Sequence, residues 1–336
     1  MENHSEMNMR KMVVMSLYLI PIPVIIGSLF IGSAFHISLA DLWQYYTVSH
    51  STLSESAQIV LFDIRIPRIL LVFLVGAVLS SSGGAMQAVF RNPLVDPFIL
   101  GLSSGAAFGA ALSVSFHLLP LIPSAFIFGI LAAGTSYFAA MQNKEVSTVS
   151  LILSGVVVNG IFTALLTIVQ FISDPFKLQS IVQWTMGNFH TASWEKIQIS
   201  VLPMAAGLIV LLMYRWRLNV LALGDDEAQS SGVHVLRDKL ILLLVISIAC
   251  SAAVAVAGII GFYGLIVPHI VRMIVGVDNK KLIPLCITLG GSFLVIIDDI
   301  SRSLMSFELP IGIFTMLIGA PIFLFLMKKN HIGWNY

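Results

Sequence analysis

Charge is what this chain lacks most. Asp, Glu, Lys and Arg make up 10% of its 336 residues, against roughly 25% in an average soluble domain. Hydrophobic residues make up 57%. Too few polar groups remain to cover a water-exposed surface, so a soluble globular fold is excluded. Cysteine is nearly missing as well. Cys250 and Cys286 sit inside apolar segments, with neither a disulfide frame nor metal spacing, and read as small core residues. The ten-residue alternation of an outer-membrane barrel is absent. So are G-x-x-x-x-G-K-[ST], GxGxxG after a strand, HExxH and a nucleophile triad. The chain is therefore expected to catalyse no covalent reaction, and to bind no metal and no cofactor of its own. The formal net charge of +1 says nothing about partners, and nucleic acid is not expected among them.

Acids are also missing from the middle of the apolar segments. An ionised group at the bilayer centre costs about 2.5–3.5 kcal/mol on insertion scales, and ion-coupled transporters accept that cost to build a relay. Here the acids stand at segment ends or in loops. His269, beside Pro268, is the one histidine near a segment interior and reads as structural. If the chain moves a substrate uphill, a separate ATPase is the favoured energy source. An ion-gradient-driven secondary transporter is the competing class, although only a faint echo of repeats links the second to fifth segments with the seventh to tenth. A membrane scaffold without transport is a third reading.

What is present is a series of long apolar segments, each a membrane-helix candidate. They fall at about 12–34, 65–89, 98–116, 121–141, 149–172, 197–214, 240–257, 258–275, 282–297 and 310–327. The expected fold is an all-α polytopic membrane protein of ten transmembrane helices, with one domain over 1–336. The first segment is too long for a signal-peptide core and is read as a retained helix. Gly101, Gly105 and Gly109 recur at four-residue spacing, which lets a neighbouring membrane helix approach closely. Asp298, Asp299 and Arg302 are expected to interrupt the chain after the ninth segment. The stretches 36–64, with Asp41, Glu55 and Asp63, and 173–195 are read as polar connections.

With ten spans, thirteen of the 18 basic residues fall on the side of both termini, among them Arg10, Lys11, Arg91, Lys144 and Lys239. The other side holds Arg65, Arg68, Lys177, Lys196 and Arg302. The positive-inside rule then places both termini in the cytoplasm.

The same rule places a polar island there, ALGDDEAQSSGVHVLRDK (222–239). Gly224, Asp225 and Asp226 make a helix start, since acids favour the positive end of the helix dipole, and Gly232 makes a natural stop. The island reads as a short surface helix, either a solvated connection or the place where a soluble partner docks. Arg65, Arg68 and Arg302 defy the charge bias. They read either as anchors snorkelling at segment ends or as a docking face for an acidic partner.

Six stretches taken together resemble one family, the FecCD-type permease subunits of ATP-binding-cassette importers. They are RIPRILLVFLVGAVLSSSGGAMQAVFRNPLVDPFILGLSSGAAFG (65–109), LILSG (151–155), WTMGNF (184–189), LGDDEAQSSGV (223–233), GIIGFYGLIVPHIVRMIVG (258–276) and ELPIGIFTMLIGAPIF (308–323). The resemblance implies a type II importer permease fold that pairs with a second copy of itself in the lipid bilayer of a bacterial inner membrane. It implies two cytoplasmic ATPase subunits, which hold ATP and magnesium, and a periplasmic substrate-binding protein. Residues 223–237 match the coupling-helix region, with Leu223, Gly224, Asp225, Asp226, Glu227, Ala228, Gly232 and Val233 meeting the ATPase. Glu227 stands in a slot that is commonly alanine. Arg65, Arg68 and Arg302 match positions that meet glutamates of the binding protein. Asn92, Leu94 and Thr148 match the cytoplasmic gate. The cargo implied is a metal chelate (iron–siderophore, haem or cobalamin), with molybdate or tungstate as the alternative. Pro93, Pro97, Pro268 and the glycines near 258–264 become candidate hinges, or packing kinks shielded by protein.

Overall fold

A computed structural model describes residues 14–32, 54–142, 145–304 and 307–329. Arg10, Lys11, Asp41, Lys144 and both termini lie outside the described residues. The described residues fold almost entirely as helix. The helices are α1 (Pro21–Phe30), α2 (Ile66–Phe90), α3 (Leu102–Phe116), α4 (Leu121–Ala140), α5 (Thr148–Ile172), α6 (Pro175–Thr185), α7 (Trp194–Leu223), α8 (Asp225–Ser230), α9 (Val235–Ala257), α10 (Tyr263–Val275), α11 (Asn279–Ser303) and α12 (Ile311–Lys329). A short hairpin of β1 (Met141–Gln142) and β2 (Glu145–Val146) joins α4 to α5.

Six helical stretches are long and apolar enough to cross a membrane, namely Glu55–Phe90, α4, α5, α7, α9 and α11. Four shorter apolar helices accompany them: Pro21–Phe30, Leu102–Phe116, Tyr263–Val275 and Ile311–Ile322. The chain is a multi-pass membrane protein.

Helix α2 is the centre. Nearly all of its side chains are buried, as expected of a helix that is apolar on every face. It packs chiefly on α11, with further contacts to α7, α9 and α10. Lipid tails are as apolar as leucine, so membrane helices associate through close packing and polar contacts. The α2–α11 seam shows both. A Cβ on Gly76 would lie 2.6 Å from the Gly290 carbonyl oxygen. Ser80 donates to the carbonyls of Gly76 at 2.6 Å and Cys286 at 2.7 Å. Tyr263 on α10 donates to the Gly290 carbonyl. The two cysteines are buried and unpaired, in line with small core residues.

Side-chain caps start several helices. Ser54, Ser147, Asp174, Ser193 and Asp278 each accept a backbone N–H of the following turn, each worth about 1 kcal/mol.

Four expectations need correction. The Asp298, Asp299 and Arg302 stretch does not interrupt the chain. It forms the last turns of α11, because the carboxylates find cations inside the bundle. The eighth apolar segment does not begin as helix at 258: Gly258 and Phe262 have φ of 74° and 62°, and α10 starts at Tyr263. The stretch 173–195 is not only a connection, since Asp174 caps α6 within it. Helix also begins at Glu55, ahead of the expected second span, and enters α2 through a π-helical turn at Val60–Arg65.

The break at Gly258 has a packing cause. A Cβ there would lie 2.2 Å from the Trp184 carbonyl, and one on Gly187 would lie 2.4 Å from the Ile259 carbonyl. Asn188 N–H reaches the Ala257 carbonyl at 2.8 Å, and Gly312 N–H reaches the Met186 carbonyl at 3.1 Å. Three of the motif stretches, WTMGNF, GIIGF and the PIG at the entry to α12, thus knit into one backbone junction.

Candidate functional site

The bundle has a polar cluster at each end. At the first, α1, α2 and α11 converge on an ion-pair network. Arg68 donates from Nε to Asp298 Oδ2 at 2.9 Å and from Nη2 to Asp298 Oδ1 at 2.8 Å. Its Nη1 reaches Glu308 at 3.0 Å, and Glu308 also pairs with His190 Nδ1 at 2.5 Å. Arg302 donates to Asp299, and its Nη2 reaches the carbonyl and hydroxyl of Ser28 at 2.9 Å each. Ser28 in turn donates to Asp299 at 2.6 Å. Arg65 donates to the Leu29 carbonyl at 2.8 Å.

These arginines are enclosed. Arg65, Arg68 and Arg302 each retain 6% exposure or less, and Asp298 only 1%. They are therefore neither snorkelling anchors nor free cations on an open face. Glu308 and His190 form the half-exposed rim of the network. The His190 hydrogen bond chiefly holds the Glu308 carboxyl down, to about 2, against an opposing push from burial and with help from Arg68. Glu308 sits between α11 and α12, outside the spans.

The opposite end gathers the island, the Asn92–Leu94 turn and the starts of α9 and α11. Helix α8 is six residues, Asp225–Ser230, and lies between the expected start at Gly224–Asp226 and the expected stop at Gly232. Leu223 closes α7 and Gly224 is the junction, with φ 148°. Gly232 and Val233 form the turn after α8, where Val233 N–H closes on the Ala228 carbonyl at 3.0 Å. Ala228 is fully buried and fixes α8 to the bundle, while Asp226, Glu227, Gln229 and Ser230 face outward.

Several polar clamps brace this end. Arg217 of α7 donates to buried Asp238 of α9 at 3.0 and 3.1 Å. Asn219 binds Asp278 at 2.8 Å and accepts the Asn279 N–H at 2.7 Å. Lys239 donates to both Asp225 oxygens at 2.8 Å. The Asp278 carboxyl lies below its usual value: burial pushes it up, but Asn219, the Lys280 N–H, and the Lys281 and Lys280 charges outweigh that.

Asn92 makes a turn by accepting the Leu94 N–H at 2.9 Å, and Leu94 is exposed. Thr148 opens α5 immediately after the Ser147 cap. The link between the two segments is packing of the 3-10 turn Pro97–Leu100 on α5. A Cβ on Gly155 would lie 1.9 Å from the Ile99 carbonyl. The 3-10 turn that follows Asn92 and Leu94 in the chain is thus what packs on α5.

Sequence reading missed the outward face of α5. In the most apolar part of α5 only 17% of residues are buried. Along its exposed side Asn159, Thr163 and Thr167 form an uncharged polar stripe at four-residue spacing. That i, i+4, i+8 pattern was available in the sequence but lay hidden inside an apolar segment.

Family-wide sequence comparison matches residues 19–329 to the FecCD transport family. The chain belongs to that family. The FecCD chain is 41% identical over 281 residues to the molybdate import system permease protein MolB of Haemophilus influenzae, covering 82% of this chain and 83% of the relative. It is 39% identical over 298 residues to the cobalamin import system permease protein BtuC of Halobacterium salinarum, covering 86% and 80% respectively. A solved structure of an inward-facing, metal-chelate type ABC transporter superposes with a TM-score of 0.83 at 36% identity, over 95% of this chain and 100% of that one.

Proposed function

We propose that this FecCD-family chain is the permease subunit of a binding-protein-dependent ABC importer for a metal chelate. The observation that carries the reading is α8. A short acidic helix stands between two spans, anchored by Ala228 and Asp225, with its polar face turned outward. Such an element suits docking of an ATPase, since the chain carries no nucleotide motif of its own. The proposed arrangement has ten spans and both termini in the cytoplasm of a bacterial inner membrane, with α8 on the same side. A second copy covers the exposed face of α5, and cargo passes between the copies. The uncharged stripe Asn159, Thr163 and Thr167 supports that placement, because polar groups facing acyl chains are disfavoured.

Two ATPase subunits meet α8 through Asp226, Glu227 and their outward neighbours. A periplasmic binding protein docks at the arginine end. Its carboxylates then compete with Asp298, Asp299 and Glu308 for Arg65, Arg68 and Arg302. Asn92, Leu94 and Thr148 border the cytoplasmic gate. Docking of a loaded binding protein, closure of the ATPases on α8 and reorientation of the two copies form the cycle. The neutral stripe supports a metal chelate as cargo. The 41% identity to a molybdate permease supports an oxyanion as the second reading.

The test reconstitutes the chain with its co-purifying ATPase and its binding protein in proteoliposomes. Ferric siderophore, haem, cobalamin and molybdate are supplied in turn. Import that stops with a hydrolysis-dead ATPase is expected. Import that persists with it and collapses with an ionophore would establish a secondary transporter instead.

A further inference from the structure

We propose that Arg91 is the positioning residue through which α8 acts on the Asn92–Leu94 turn. The inference rests on α8 being the ATPase-coupling element. Arg91 caps α2 in a left-handed conformation, φ 51° and ψ 38°, which few residues other than glycine adopt. That bend lets the Asn92 N–H fold back to the Gln87 carbonyl at 3.1 Å and sets up the Asn92–Leu94 turn. Strain of this kind persists where surrounding contacts over-determine it. Here one of those contacts is the Arg91 side chain itself. It leaves the turn and crosses to α8, where Nη2 lies 3.6 Å from Asp225 Oδ1. On the way its Nη1 passes beside Gly224, 3.5 Å from where a Cβ there would sit, which is ordinary contact distance.

Asp225 is therefore a fork. One branch, to Lys239, ties α8 to the fifth residue of α9 with two 2.8 Å contacts. The other branch, to Arg91, ties α8 to the end of α2, and it is the only ion pair between those two elements among the described residues. The two branches differ in kind. The Lys239 branch lies within the clamped unit of α7, α9 and α11, and holds α8 on its base. The Arg91 branch leaves that unit for the turn. One turn back along α2, Gln87 accepts from Arg272 of α10 at 2.8 Å, so displacement of the turn continues into α10.

Both members of the Arg91–Asp225 pair are about 40% exposed. An ion pair so wetted adds little stability. A protein docked on α8 excludes water from it and lowers the local dielectric, which strengthens the attraction. Docking would thus tighten the linkage at the moment when a push on α8 has to reach the turn.

The test uses the reconstituted importer of permease, ATPase and binding protein. Ferric siderophore, cobalamin and molybdate are each supplied, and the readout is cargo imported per ATP hydrolysed. Arg91→Gln is expected to co-purify with the ATPase as wild type does and to hydrolyse ATP, with import per ATP reduced at least fivefold. Arg91→Lys keeps the charge and recovers at least half of the wild-type ratio. Lys239→Gln removes the other branch and stays within twofold of wild type. A wild-type ratio in Arg91→Gln overturns the inference. So does an equal fall in Arg91→Gln and Lys239→Gln, or loss of ATPase assembly in Arg91→Gln, since either makes the residue merely structural. Wild-type complex that imports nothing under ATP overturns the permease reading itself, and this inference with it.

Discussion

Arg68 and Asp298 face each other across the α2–α11 seam, with Nη2 2.8 Å from Oδ1 and Nε 2.9 Å from Oδ2. The contact is bidentate and nearly closed to solvent, with side-chain exposures of 8% and 2%. Two charges withdrawn from water cost several kcal/mol each before their attraction offsets that. The pair is thus a weak source of net stability but a costly one to split. It fixes the register of the two most heavily packed helices at one end of the bundle.

Splitting the pair gives the first prediction. Asp298→Ala strands the Arg68 guanidinium on that side and should destabilise the fold by about 3–5 kcal/mol. Replacing both residues with apolar side chains, Arg68→Met with Asp298→Leu, should recover most of that loss. Thermal unfolding in detergent or nanodiscs measures both. A double variant as unstable as the single one would show that Glu308 or Asp299 carries the seam instead.

Acid should loosen the same end through Glu308. Its folded value of about 2 lies below the usual 4.5. A depressed carboxyl contributes stability that is fully present above its unfolded value and is lost as pH falls through its folded value. The window is therefore about pH 4.5 down to about 2. Glu308→Gln should flatten the pH dependence of stability in that window, because an amide has no proton to take up. An unchanged slope would assign the acid sensitivity to other carboxylates.

Much of this was legible in the sequence because membrane helices announce themselves by length and apolarity. The segments at 121–141 and 149–172 match α4 and α5 to within a residue at most ends. The island was also placed correctly between two spans. What was not legible depended on partners distant in sequence. Asp298 and Arg302 look like helix breakers until Arg68 pairs with the first and Ser28 accepts from the second, both partners more than 200 residues away. The arginines looked exposed for the same reason. Gly258 looked like one more small residue in a helix, and only the carbonyl of Trp184 explains why the helix stops there. The bounds of α8 were legible too, since Gly224 and Gly232 flank it, while Leu223 and Val233 are taken up by α7 and by the turn before α9.

Close packing of α2 and α10 yields a paired prediction. A Cβ at Gly83 would lie 1.9 Å from the Gly264 carbonyl oxygen. That atom is backbone and cannot rotate away. Gly83→Ala should therefore cost about 1–3 kcal/mol, as overpacking of a filled interior does. Gly134 on α4 has nothing within 4 Å of the same position. Gly134→Ala should be neutral or stabilising by up to about 1 kcal/mol through helix propensity. Thermal denaturation of the two variants side by side checks the contrast, and equal losses would mean that α2 and α10 do not meet this closely.

The buried arginines sharpen the docking proposal into a prediction about direction. A binding protein that presents carboxylates must draw Arg68 and Arg302 away from internal partners, or join them at the rim. Arg302→Glu adds a third acid beside Asp298 and Asp299, so it should weaken capture and also lower stability. That variant alone cannot separate docking from folding. Glu308→Gln can, because it removes a rim acid that competes for Arg68 at 2.9 Å and leaves the Asp298 contact in place. Capture of an acidic partner should then strengthen, by roughly the few-fold expected of a partly exposed charge pair. The gain should shrink as salt is raised toward a Debye length of about 3 Å at 1 M. Equilibrium binding of the binding protein to the permease–ATPase complex, at low and high salt, reads this directly. Weaker capture by Glu308→Gln would sink the arginine face as the docking site and would point to Glu308 and His190 themselves as the contact, with a basic rather than an acidic partner surface.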